Sequence, residues 1–136
     1  MSVLLDTSVI IDFLRGKAEV VDSVKQIPQN EAIYVTAISI FELFIGIFKK
    51  GLVKEESDIR LFLSQLNIID LDSRSAEESA KVLSLLQKGG HTVNSLDTLI
   101  TGTAIANGVN SILTEDKDFK EIEKVTNIKV TLISSL

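Results

Sequence analysis

The sequence predicts an α/β protein in which a parallel sheet carries helices on both faces. Short apolar runs rich in β-branched residues alternate with helical patterns of ten residues or more, and strands joined through helices run parallel. Acids and hydroxyl residues stand directly after several of those runs, where the strands of such a sheet open onto a ligand crevice. With 136 residues, 45% of them hydrophobic, the chain can bury one core, and residues 1–136 read as a single domain.

Val3-Leu4-Leu5 reads as a buried strand that hands over at Asp6 to a helix begun by Thr7-Ser8-Val9-Ile10-Ile11. Asp6 can cap that helix, but Thr7 and Ser8 can also do so. Arg15-Gly16-Lys17 closes it, and a second helical pattern from Ala18 to Ile27 stops at Pro28, the only proline. Ala32 to Val35 is a short strand, and Thr36 stands at the cap position of the helix Ala37 to Lys50. Within that helix Ser39, Glu42, Gly46 and Lys49 form one stripe, while Ile38, Ile40, Phe41, Leu43, Phe44, Ile45, Ile47 and Phe48 cover the rest. A helix apolar nearly all round predicts a second covered surface, hence a dimer. Glu42 is its only acid, and Ser39 three residues earlier also permits a capping box. Gly46, one turn after Glu42, predicts the close approach of another element.

Gly51 ends this helix and Glu55 to Leu66 forms the next. Asn67 to Leu71 reads as a strand, and Asp72 or Ser73 caps a helix over Ala76 to Lys88 that Gly89-Gly90 closes. His91, the sole histidine, lies in the following loop and reads as solvated. Asn94 or Ser95 caps a further helix with Asp97 in its first turn, where the helix dipole favours an acid. Thr98, Thr101, Gly102, Thr103, Ala104 and Ala106 give that helix small side chains, so it can pack close to the sheet. After Asn107-Gly108 the strand Ser111 to Thr114 runs into Glu115-Asp116-Lys117-Asp118-Phe119. Lys129 to Ile133 supplies the last strand.

Composition narrows the chemistry. There is no cysteine, so disulfides and thiolate metal sites are excluded and any metal is held by oxygen. The net charge of −5 counts against sequence-independent nucleic-acid binding. It leaves room for an enzyme that meets phosphates through a bound cation and a few local basic groups. Arg15, Lys17, Lys49 and Lys50 end helices at the crevice and are the candidates for phosphate contact. The longest apolar stretch, Ala37 to Phe48, is broken by Glu42 and too short to span a membrane. The first strand begins within two residues of Met1, leaving no room for a signal segment. A cytoplasmic protein is expected.

Asp6 and Asp116 follow strands, while Glu42 and Asp97 lie near the starts of helices entered from the same edge, so a parallel sheet brings all four to one crevice. Four neighbouring carboxylates repel one another unless a cation neutralises them. Oxygen ligands alone suit Mg²⁺ or Mn²⁺, which serve phosphate chemistry. The residues therefore predict metal-assisted phosphodiester hydrolysis, with water attacking phosphorus in line.

Four stretches, Leu5-Asp6-Thr7-Ser8-Val9-Ile10-Ile11-Asp12, Glu42-Leu43 with Gly46, Leu96-Asp97-Thr98-Leu99-Ile100 and Thr114-Glu115-Asp116-Lys117-Asp118-Phe119, together resemble the PIN-domain ribonucleases. Their order and spacing are similar to the single-domain VapC toxins. The resemblance implies a three-layer α/β/α sandwich on a central parallel sheet and a Mg²⁺- or Mn²⁺-dependent endoribonuclease. It makes Asp6, Glu42, Asp97 and Asp116 the acidic quartet, with Asp6 and Asp97 holding the cation and Glu42 or Asp116 positioning the water or a second ion. Thr7 or Ser8, and Thr114, would orient carboxylates or water, and Asp118 competes with Asp116 for the fourth position. The resemblance also implies an RNA substrate, a homodimer and an antitoxin whose C-terminal segment covers the groove. The competing readings are a housekeeping PIN nuclease in RNA processing and a non-catalytic module that binds protein through residues 37–48. A haloacid-dehalogenase-like phosphatase fits poorly, because Ser8 stands where its second Asp is required.

Overall fold

Strands β1 (Ser2–Leu5), β2 (Ala32–Thr36), β3 (Asn67–Ile69), β4 (Ser111–Thr114) and β5 (Lys129–Leu132) pair in the order β3-β2-β1-β4-β5. Every pair is parallel. The computed structural model describes residues 2–51 and 53–133; of the span read as one domain, residues 1, 52 and 134–136 lie outside the described residues. The chain lays β2 and β3 on one side of β1, then crosses back to add β4 and β5 on the other.

Helices α1 (Thr7–Leu14), α2 (Ala18–Lys25), α3 (Ala37–Lys50) and α4 (Val53–Leu63) cover one face, and α5 (Ser73–Lys88), α6 (Ser95–Ala106) and α7 (Phe119–Val125) the other. The alternation of side chains along each strand divides the core accordingly. Val3, Leu5 and Leu113 pack with Val9, Ile10, Leu43 and Ile59, while Leu4, Ile112 and Val130 pack with Leu86, Ile100, Phe119 and Ile122. The architecture is thus the expected α/β/α sandwich. Among the described residues no helix is long and apolar enough to cross a membrane.

Several local expectations are corrected. Asp6 itself caps α1, accepting from Thr7 N at 2.8 Å. Thr36 caps α3 through Ser39 N at 3.2 Å, so Ser39 and Glu42 form no capping box. The helix α2 stops at Lys25, short of Ile27, and α4 stops at Leu63, short of Leu66. The strand β3 ends at Ile69, and α5 starts at Ser73 under an Asp72 cap. The sequence pattern gives no sign of α7, a short charge-rich helix that buries only Phe119 and Ile122. His91 is half-buried rather than solvated: its Nδ1 lies 3.0 Å from Glu121 Oε2 and ties the loop before α6 to α7.

The two glycines singled out behave differently from expectation. A Cβ on Gly46 would meet nothing within 4 Å, so among the described residues no element approaches α3 closely there. A Cβ on Gly102 would run into Ser79 Oγ and the Ser79 backbone. The close approach that the small residues of α6 permit is therefore to α5, helix against helix. Gly102→Ala should lower stability by roughly 1–3 kcal/mol through overpacking. Gly46→Ala should raise it by up to about 1 kcal/mol, because a glycine in mid-helix costs entropy. Urea unfolding of both variants measures the contrast.

Candidate active site

The carboxyl ends of β1 and β4 flank the point where the strand order reverses, the place at which open α/β sheets bind ligands. The register Leu5↔Leu113 sets Asp6, one residue on, opposite Thr114. Asp6 N donates to Leu113 O at 3.0 Å, continuing the ladder, and Thr114 Oγ1 donates to Asp6 Oδ2 at 2.8 Å. Ser8 Oγ donates to the same oxygen at 3.0 Å, while Thr7 N takes Oδ1. Burial pushes the Asp6 carboxyl above its usual pKa, and the bonds from Thr114, Ser8 and Thr7 N only partly oppose it.

Glu42 reaches the crevice from α3, the helix that β2 feeds into the same edge. Thr7 Oγ1 lies 2.7 Å from Glu42 Oε1 and 2.8 Å from Ser39 Oγ. A hydroxyl has one proton and Glu42 as a carboxylate can only accept, so Thr7 donates to Glu42 and receives from Ser39. Ser39, read in the sequence as part of the polar stripe and as half of a capping box, thereby joins the hydrogen-bond chain that ends on Glu42. The signal was its place on the stripe that faces the acid.

Asp97 is buried in the first turn of α6. Among the described residues no side chain donates a hydrogen bond to its carboxylate. Burial and the charges of Asp6, Asp116, Glu42 and Asp118 push its pKa up to about 7. Asp116 acts on Asp97 more strongly than Asp118 does. Asp116 N donates to Thr114 Oγ1 at 2.9 Å and Asp116 Oδ1 accepts from Asp118 N at 2.9 Å, so Asp118 also supports its neighbour through the backbone.

Among the described residues no basic side chain pairs with Asp6, Glu42, Asp97, Asp116 or Asp118. Lys17, a candidate for phosphate contact, is instead bound to Glu115 at 2.7 Å and lies 3.8 Å from Asp12. Arg15 and Lys50 line a cleft of about 240 Å³ between α1, α3 and α4 that has Glu42 in its wall. A cavity of about 660 Å³ lies elsewhere, between α2 and the β4–β5 edge, and contains none of these acids.

The donor set is oxygen only, anionic and without a protein counter-ion, which fits a hard divalent cation. Among the described residues no three carboxylates already stand in the geometry of a metal centre. Hydrogen bonds to Asp6, Glu42 and Asp116 hold each in its own place. Such an open arrangement suits an ion that keeps several of its waters.

The PIN-domain profile matches residues 3–125. The chain belongs to the PIN-domain family. A relative of this PIN domain is ribonuclease VapC1 of Rickettsia felis, 29% identical over 99% of this chain and 98% of its own length. The fold is also that of VapBC2 from Rickettsia felis, solved bound to a DNA fragment from its promoter: TM-score 0.85, 23% identity, 98% of this chain and 100% of that one covered. A toxin–antitoxin complex from Klebsiella pneumoniae matches with a TM-score of 0.73 and 26% identity over 98% of this chain and 99% of that one.

The Asp97 carboxyl gives the PIN domain an inverted pH dependence. The folded chain keeps a proton up to about pH 7 that the unfolded chain releases near 3.8. Stability from this group is therefore full below the lower value and is lost as pH rises to the upper one. Asp97→Asn should be more stable than the wild type at pH 8 by on the order of 2 kcal/mol. The gap should close as pH falls from 7 toward 4, measured by urea unfolding across that range.

Proposed function

We propose that residues 1–136 act as a single nuclease domain, a Mg²⁺- or Mn²⁺-dependent endoribonuclease that is the toxin of a toxin–antitoxin pair in the cytoplasm. The observation that carries this reading is that Asp6, Glu42, Asp97 and Asp116 come to one end of the sheet while, among the described residues, no basic side chain pairs with any of them. RNA as the substrate is supported by the relative named as a ribonuclease, and an antitoxin partner by the complex from Klebsiella pneumoniae.

In this reading Asp6 and Asp97 hold the cation. When bound, the ion offsets the carboxylate charge and supplies Lewis-acid assistance at the phosphodiester. Thr114 and Ser8 fix the orientation of Asp6, and Thr7 fixes that of Glu42. Glu42 or Asp116 orients the water that attacks phosphorus in line, and the bond from phosphorus to the leaving ribose oxygen breaks. Arg15 and Lys50 line the cleft beside Glu42 and meet the flanking phosphates.

A homodimer accounts for α3. Its Phe41, Ile45 and Phe48 are 57%, 43% and 70% exposed, one apolar stripe left bare on the side away from the core.

Purified protein should cut RNA from a pool of structured and single-stranded molecules with Mg²⁺ or Mn²⁺ and not with EDTA. Asp6→Asn should lower the rate at least about 100-fold while the fold is retained. An active Asp6→Asn variant sinks the site. For the assembly, light scattering should give twice the chain mass for the wild type and the single-chain mass for Phe41→Asp combined with Phe48→Asp. A wild type that is monomeric at every concentration removes the dimer.

A further inference from the structure

Among the described residues only two contacts between a basic and an acidic side chain join elements far apart in the chain, His91 to Glu121 and Lys17 to Glu115. The second spans 98 positions and ends one residue before Asp116. Lys17 sits in the turn between α1 and α2 with its backbone held at both ends. Its N–H donates to Asp12 O at 3.0 Å, and its carbonyl accepts from Val20 N and Val21 N. From that anchored position Nζ reaches Glu115 Oε1 at 2.7 Å. The Glu115 side chain is only 13% exposed, so this is not a freely solvated surface pair.

At the other end, Glu115 opens the turn between β4 and α7. That turn is otherwise held by Asp116 N to Thr114 Oγ1, Asp118 N to Asp116 Oδ1 and Phe119 N to Asp116 O, with Thr114 Oγ1 donating on to Asp6. Those bonds fix the shape of the turn and tie its start to the end of β1, but they do not reach the turn between α1 and α2. Lys17 supplies the tie to the α1–α2 side. Lys17 Nζ also lies 3.8 Å from Asp12 Oδ2, so one ammonium stands between the carboxylates of Asp12 and Glu115. Without Lys17 those two acids would lose the cation they share.

We propose that Lys17 is a positioning residue: through Glu115 it pins residues 115–118 to the α1–α2 turn and so sets Asp116 in the acidic crevice. Its consequence for cleavage rests on the endoribonuclease reading; the pinning itself does not. The distinction that matters is from direct phosphate contact, the other role open to a lysine beside the crevice. A phosphate contact acts on substrate binding, whereas a positioning residue acts on the chemical step through another residue.

Lys17→Met should lower kcat about tenfold with KM within about twofold of the wild type. Lys17→Arg, which keeps the charge and the reach, should restore the rate. Lys17→Met combined with Glu115→Gln should be no slower than the slower single variant, because both break one link. In the free protein, without RNA or cation, amide exchange at Asp116 and Asp118 should be about tenfold faster in Lys17→Met than in the wild type. Unchanged exchange at those amides overturns the pinning, whatever the protein cuts. A raised KM at constant kcat, with effects that add in the double variant, overturns it in favour of phosphate contact. A wild type that cuts no RNA counts against the nuclease reading alone, since the exchange result still decides the tie.

Discussion

The hydrogen bond from the Thr114 hydroxyl to the Asp6 carboxylate is the contact around which the crevice is built. It spans β1 and β4, strands that are neighbours in the sheet and 108 positions apart in the chain at these two residues. A slip of one residue in that pairing would turn Asp6 to the other face and move Thr114 out of reach. The same hydroxyl accepts from Asp116 N, so one oxygen fixes an acid on each strand. Asp6 in turn caps α1 and thereby places Thr7, which holds Glu42. Capping the helix and serving the site are one job for Asp6, since the geometry that ends β1 also aims its carboxylate.

The cost of this arrangement is electrostatic. Folding gathers five carboxylates around one edge of the sheet, and Asp97 bears the effect of the other four. Two apolar layers, one on each face, offset that repulsion without contributing a charge of their own. Lys17, beside the crevice, is spent on Glu115 and Asp12, acids outside the quartet. Carboxylates gathered without a basic partner are a pattern of charge that a bound cation would neutralise.

Much of this was legible in the sequence, for identifiable reasons. Val3-Leu4-Leu5 and Ser111 to Thr114 announce strands because their apolar runs stop abruptly at polar residues, and the alternation of helical segments gives the parallel sheet. The stripe of Ser39, Glu42 and Gly46 was visible because α3 is otherwise apolar, and so was the surplus of apolar surface on that helix; which residues stay bare, Phe41 and Phe48 among them, only the packing decides. The α7 helix was invisible because seven residues with two buried side chains carry too little periodicity. Lys17 read as a candidate phosphate contact at a helix end, since nothing in its neighbourhood along the chain points to Glu115. Gly102 was read correctly as a site of close packing but assigned to the sheet, because sequence shows that space is needed and not which element fills it.

The buried carboxyl of Asp97 also makes the crevice a proton store. Near neutrality the group holds a proton about half of the time, and that proton is the nearest thing to a counter-ion among the residues facing it. Any cation entering there has to expel it, so uptake releases acid to the medium and weakens as the medium becomes more acidic. In the proposed reading, the crevice would exchange one cation for a fraction of a proton.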